Sequence, residues 1–284
     1  RFAYVDARDV AAALVADALD RLPQPGNGQT LQRWQALSAV AAHDLSLAKL
    51  YEGHTDALAI LRELRQPLTQ AMSVWGMWAA EAPGARVLIE RHTAAASACG
   101  PVRLRGAKPW CSGAATVSHG LLTAWHVDGR GPQLVAVSMR QPGVSVRGGS
   151  WQAVGMSGSA GLDVAFDDAH AELVGQPGDY LSRPGFSQGG AGIAACWHGG
   201  ATFIASGLHS AVAKAHASAN PSTLPFRQAA LGRIDASLFE TILLGGSAIP
   251  AERPANCVAT YGMTETGSGV VYDGWPLPGV ELCE

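Results

Sequence analysis

The sequence predicts an α+β chain with an N-terminal α-helical domain, an antiparallel β middle domain, the start of a C-terminal helical domain and a short α/β tail. Three observations predict it. Apolar residues recur at helical spacing up to about residue 66; short apolar runs separated by Gly-rich turns fill 102–175; a helical run returns after residue 187. The expected divisions are 1–70, 71–180, 181–230 and 231–284.

Asp6 is placed to cap a helix over 6–22, with Val10, Leu14, Ala18 and Leu22 on one face and Pro23-Gln24-Pro25-Gly26 closing it. Thr30 opens a second helix with Trp34, Leu37 and Ala41 in register. Asp44 opens a third around Leu47, Leu50 and Tyr51, and Thr55 a fourth through Leu58, Leu61 and Leu64 to Pro67. From Val74 the pattern turns to strand. Apolar runs at 119–127, 133–139, 144–147, 151–155 and 162–166 are punctuated by Asp128-Gly129, Gln141-Pro142-Gly143 and Gly148-Gly149. Strands this short and close suggest an antiparallel sheet or small barrel, because a parallel doubly wound sheet needs long helical crossovers. A long helix is expected from Ser187 to Ala217, and Thr241-Ile242-Leu243-Leu244 reads as a buried strand over 239–246.

Charged residues make up 15% of the 284 residues and the net charge is −3, so there is no basic footprint for nucleic acid. No apolar run reaches the roughly twenty residues of a membrane span, and no signal peptide opens the chain. The five cysteines (99, 111, 196, 257 and 283) are odd in number and form no Cys-x-x-Cys, which fits a reducing cytoplasm and argues against structural zinc. The nine histidines form no His-x-x-x-His pair, so a metal centre has no support. A start at Arg1 suggests a piece of a longer protein.

The chemistry-bearing stretch is Gly106-Ala107-Lys108-Pro109-Trp110-Cys111-Ser112-Gly113-Ala114. Upstream lies Met77-Trp78-Ala79-Ala80-Glu81-Ala82-Pro83-Gly84; downstream come Gly155-Met156-Ser157, Asp163-Val164-Ala165-Phe166-Asp167-Asp168 and Arg183-Pro184-Gly185-Phe186. This ordered series resembles the acyl-CoA dehydrogenase family over about residues 1–230. The resemblance implies bound FAD, an acyl-CoA thioester substrate, removal of an α-proton by a base, and hydride passage from the β-carbon to flavin N5. It places Met77, Ala79 and Ala80 along the flavin's pyrimidine edge, Trp110 over the ring and Ser112 near N5. Met77 and Ala80 depart from the family's aromatic residue and threonine, so one hydroxyl contact is lost, while backbone N–H donors remain. No catalytic base is assigned, and a complete helical bundle would imply a homo-oligomer. Two plainer alternatives stand beside these roles: Trp110 as core packing, and Ser112 as a turn serine bonded to its own backbone.

Gly185-Phe186-Ser187-Gln188-Gly189 matches the Gly-x-Ser-x-Gly of hydrolases, but Leu181-Ser182-Arg183-Pro184 before it is no buried strand. Ser187 is better read as the N-cap of the following helix, and His198 and His209 as packing or surface residues. In the tail, Tyr261-Gly262-Met263-Thr264-Glu265 resembles the adenylate-forming ligases, closest to the o-succinylbenzoate–CoA type. That resemblance implies adenine stacking by Tyr261 and phosphate and magnesium contacts by Thr264 and Glu265. No lysine-bearing phosphate loop or later ribose-binding aspartate accompanies the motif. The expectation is a chimeric chain joined near 231–238: an impaired acyl-CoA dehydrogenase-like flavoprotein, with a ligase remnant or an inactive chain as alternatives.

Overall fold

The computed structural model describes residues 13, 15–65, 73–90, 101–148 and 155–217, and the backbone of four short strands beyond them. By residue contacts the chain divides into two compact units, 1–33 with 46–189 and 34–45 with 190–284.

Helix α1 spans Thr30–His43 and α2 spans Leu45–Glu63. The third and fourth expected helices are therefore one. Neither Gly53 nor Thr55 breaks α2, because a tertiary core takes up Ala57, Leu58, Ile60 and Leu61 along its length. The helix expected over 6–22 falls partly outside the described residues. Its visible end gives way to a turn by Asp17, where Ala18 takes a left-handed φ of 56°.

The β region contains β1 (Trp75–Trp78), β2 (Val87–Glu90), β3 (Pro101–Ser112), β4 (His119–His126), β5 (Pro132–Ser138), β6 (Val144–Arg147) and β7 (Gly161–Val174). Pairings β4–β2–β3–β7–β5 return from β5 to β4, closing a small barrel. The strand expected at 151–155 lies mostly outside the described residues. The last expected strand is far longer than its apolar run, since β7 continues through Asp167 and Asp168 to Val174.

The sheet is not wholly antiparallel as expected: β1 and β2 both pair parallel to β4. They lie in succession on one edge, Trp75–Trp78 against 119–122 and Leu88 and Ile89 against Trp125 and His126, like a single strand interrupted by the loop 79–86. No helical crossover is required, because β3 makes the return as an antiparallel neighbour of β2.

Strand β4 is buried at seven of its eight positions and its residues serve two cores alternately. Leu122 and Ala124 join Val87, Ile89, Leu104, Val135, Val164 and Phe166 inside the barrel, whereas Leu121 packs with Trp75, Leu134 and α2. A neutral histidine helps fasten α2 to β1. His54 Nδ1 accepts the Trp75 N–H at 3.1 Å, so Nε2 carries the proton it donates to Asp20 at 3.2 Å. Burial holds its pKa below the usual value despite the Asp20 carboxylate.

Charged side chains also lie beneath α2. Arg33, Glu52, Asp56 and Arg183 are buried, and Arg183 donates to Glu63 at 3.0 Å. Helix α3 (Asp179–Ser182) brings Tyr180 and Arg183 to this cluster. Burial raises the Glu52 pKa to about 7 against the pull of Lys49, with Asp56 adding to the rise and Arg33 opposing it. A carboxyl whose folded pKa lies above its unfolded one is best tolerated below the unfolded pKa of 4.5, and that stability is lost as pH rises toward about 7. Glu52→Gln is therefore expected to stabilise the protein by about 1–3 kcal/mol near pH 8 and to have little effect near pH 4. Urea unfolding of both proteins across pH checks this.

Helix α4 (Phe186–Ala217) matches the long helix expected from residue 187. Ser187 is not its N-cap. The helix begins one residue earlier, and the preceding Gly185 N–H donates to Glu63 Oε1 at 2.6 Å, putting a carboxylate at the positive end of the helix. Within the second unit, Gly192 and Gly199 let α4 approach α1: a Cβ on Gly199 would lie 2.0 Å from the Ser38 carbonyl oxygen. His198 Nδ1 lies 3.4 Å from Ser38 Oγ. Strands β8 (Ile242–Gly245), β9 (Cys257–Tyr261), β10 (Val271–Tyr272) and β11 (Trp275–Pro276) form a four-stranded sheet in which β8 and β9 are parallel.

Candidate functional site

The Gly106–Ala114 stretch is the second half of β3 and the turn after it. In the β3–β7 ladder, Lys108 pairs with Val164 and Cys111 with Leu162, so β3 carries one extra residue there. Trp110 occupies this bulge with φ 61°, a left-handed conformation that bulky side chains rarely adopt, and is half-buried. Cys111 points inward and its thiol lies 3.2 Å from the Lys108 carbonyl; burial pushes the thiol pKa up, which makes it a packing residue.

A small cleft of about 10 Å³, room for roughly one water, lies beside the bulge and is lined by Lys49, Gly53, Met77, Trp78, Ser112 and Val117 among others. Met77 and Ser112 thus meet at one cleft. Trp110, Ala79 and Ala80 are not among its lining residues. The turn-serine alternative for Ser112 finds no bond to carry it, since the hydroxyl makes no hydrogen bond among the described residues, while the Ser112 carbonyl accepts from Trp78 Nε1 at 3.1 Å. The Trp78 ring folds back over the registered pair Gly76 and Gly120, where added Cβ atoms would lie 2.5 Å and 2.4 Å from it.

A polar cluster around the buried Lys108 stands next to the bulge. Lys108 Nζ donates to Glu81 Oε1 at 2.8 Å, to Thr123 Oγ1 at 2.8 Å and to the Thr123 carbonyl at 3.2 Å. Glu81 also accepts from the Thr123 hydroxyl and, through Oε2, from Trp125 Nε1 at 3.0 Å. Arg86 lies 4.2 Å over the Trp125 ring. Burial lowers the Lys108 pKa, partly offset by Glu81. Burial works against ionised Glu81, but the bonds from Lys108 and Thr123 outweigh it and hold its pKa below the usual carboxylate range. The Glu81 shift favours an ion pair, whereas burial of Lys108 works against its charge; the short contacts from Lys108 to Glu81 and Thr123 hold the pair together.

Sequence reasoning missed the contribution of α2 to the cleft. Gly53 gave no signal of it, since an added Cβ would sit at an ordinary contact distance of 3.7 Å from the Met77 amide nitrogen. Of the ligase-like motif only Tyr261 is described, at the end of β9; Gly262, Thr264 and Glu265 lie outside the described residues, as does the expected join at 231–238.

Solved structures with the same fold include acyl-CoA dehydrogenase-like proteins. Glutaryl-CoA dehydrogenase from Mycobacterium smegmatis superposes with a TM-score of 0.62 at 16% identity, covering 81% of this chain and 64% of that one. KijD3 in complex with FMN and dTDP-3-amino-2,3,6-trideoxy-4-keto-3-methyl-D-glucose superposes with a TM-score of 0.57 at 21% identity, covering 81% and 65%. The chain thus spans just under two thirds of each of these proteins. In sequence, a probable 2-succinylbenzoate–CoA ligase from Mycobacterium tuberculosis (strain CDC 1551 / Oshkosh) is 45% identical over 69 residues, which is 21% of this chain and 16% of the ligase. No family model matches. Among the described residues, no helix is long and apolar enough to cross a membrane.

Proposed function

We propose that the chain is a flavin-dependent oxidoreductase of acyl-CoA dehydrogenase type, with FAD as cofactor and an acyl-CoA thioester as substrate. The observation that carries the reading is the fold shared with a glutaryl-CoA dehydrogenase and with KijD3 bound to FMN; the cleft between Met77 and Ser112 holds only about one water and is not itself a flavin pocket. A flavin ring needs an apolar cover and a few aimed donors, and the half-buried indole of Trp110 and the hydroxyl of Ser112 are of the right kinds. Met77, Ala79 and Ala80 would supply the pyrimidine side through backbone donors. A bound flavin would supply hydride acceptance; the protein's own part is to hold the ring, aim the Ser112 hydroxyl and exclude water.

The test is flavin titration of the purified protein, followed by the blue absorbance band and by flavin fluorescence, with FAD and FMN separately. Ser112→Ala is expected to weaken binding by about five- to tenfold, the scale of one lost hydrogen bond, and Trp110→Ala by more, up to a few kcal/mol if the ring is fully covered. Unchanged retention in both variants would argue against flavin contacts by Trp110 and Ser112.

The ligase likeness favours a second reading for part of the chain, a remnant of an adenylate-forming acyl-CoA ligase in a chimeric protein divided at 1–70, 71–180, 181–230 and 231–284. Thiol-dependent AMP release from ATP would support it.

A further inference from the structure

We infer that Lys108 is a positioning residue for the flavin site: through Glu81 it ties the loop 79–86 to β3 and β4 beside the bulge, and so fixes the spacing between the chain that carries Ala79 and Ala80 and the chain that carries Trp110 and Ser112. This rests on the flavin reading above.

The interruption between β1 and β2 creates the need for such a tie. Partners on β4 run from His119 to Leu122 for β1 and resume at Trp125 for β2, so Thr123 and Ala124 have no ladder partner on that edge. Lys108 reaches this gap from β3 and donates to the Thr123 carbonyl and hydroxyl. Its remaining contact is with Glu81, on the loop that leaves through the gap. The ammonium group therefore connects three separate pieces of chain, with 3% of its side chain exposed.

Lys108 also stands immediately before the extra residue of the bulge. Its own pairing with Val164 is the last regular one before Trp110 turns to positive φ. Holding Lys108 thus holds the base of the turn that presents Trp110 and Ser112. Trp78 makes the reverse connection, from β1 to the Ser112 carbonyl. The two ties join the β1 side to β3 on either side of the bulge, and a binding element displaced by about an ångström loses much of a ligand's binding.

The experiment compares wild type, Lys108→Arg, Lys108→Met and Glu81→Gln for FAD and FMN affinity, for the visible circular dichroism of bound flavin, and for unfolding without flavin. Expected is a tenfold or greater loss of affinity and an altered dichroic band in Lys108→Met, with partial recovery of both in Lys108→Arg, while unfolding without flavin changes less than binding does. Glu81 is partly solvated, so Glu81→Gln is expected to fold and to show a smaller loss in the same direction; it decides the matter if Lys108→Met does not fold. Affinity within twofold of wild type in Glu81→Gln and in any folded Lys108→Met overturns the inference and leaves the flavin reading standing. Wild type that binds neither flavin overturns both.

Discussion

Gly106→Ala is expected to lose roughly 3 kcal/mol or more of stability, enough to remove a large part of the folding free energy of an ordinary domain. Gly106 pairs with Val87 across β2 and β3 at φ 122°, and a Cβ there would sit 2.1 Å from the Arg86 carbonyl oxygen. Neither a side-chain rotation nor a small shift removes a collision with backbone, so the ladder must open where it leads to the Lys108 bulge. Gly129→Ala is the control. Gly129 also has positive φ, at 81°, but nothing lies within 4 Å of its added Cβ, and about 1 kcal/mol is expected from the backbone penalty alone. Urea unfolding of the two variants separates the effects; equal losses would show that φ, not the close approach, governs Gly106.

Arg183→Met is expected to cost about 3–5 kcal/mol, the scale for removing one member of a buried charged cluster. The Arg183 side chain is 1% exposed, donates to Glu63, lies 3.8 Å from Asp56 and sits over the rings of Tyr180 and Phe186. Its loss leaves two carboxylates without their strongest counter-charge. Burial already raises the Asp56 pKa against the pull of Arg183 and Arg33, so removing Arg183 should raise it further. The deficit is therefore expected to shrink as pH falls and the carboxyl groups take up protons, and to grow as pH rises. Adding Glu63→Gln to Arg183→Met should restore part of the loss. A pH-independent deficit would assign the effect to lost packing rather than charge.

The sequence carried the fold class further than it carried the site. Periodicity located α1, β4, β5 and β6 within a residue or two because each has one apolar pattern and a turn former at its end. It divided α2 in two, since Asp44 and Thr55 both look like caps and only tertiary burial shows that the chain runs through. Glu52 and Asp56 look like the solvent side of that helix, and nothing local shows that Arg33 and Arg183 arrive from elsewhere to bury them. Met77 and Ser112 line one small cleft, whereas Trp110, Ala79 and Ala80, expected beside them, do not. Their support was not legible: Glu81 and Lys108 were each visible in a motif, but the ion pair between them spans 27 residues and depends on an interrupted ladder. The left-handed φ of Trp110 was equally hidden, because bulges follow from register between strands rather than from the bulged residue itself.

The interruption on the edge of β4 also bears on how such a protein can change. Because β1 and β2 are each anchored to β4 by their own pairings, residues added or lost between Ala79 and Arg86 need shift neither strand. The segment is a natural place for insertion and deletion while the barrel keeps its register, provided that a carboxylate remains within reach of Lys108.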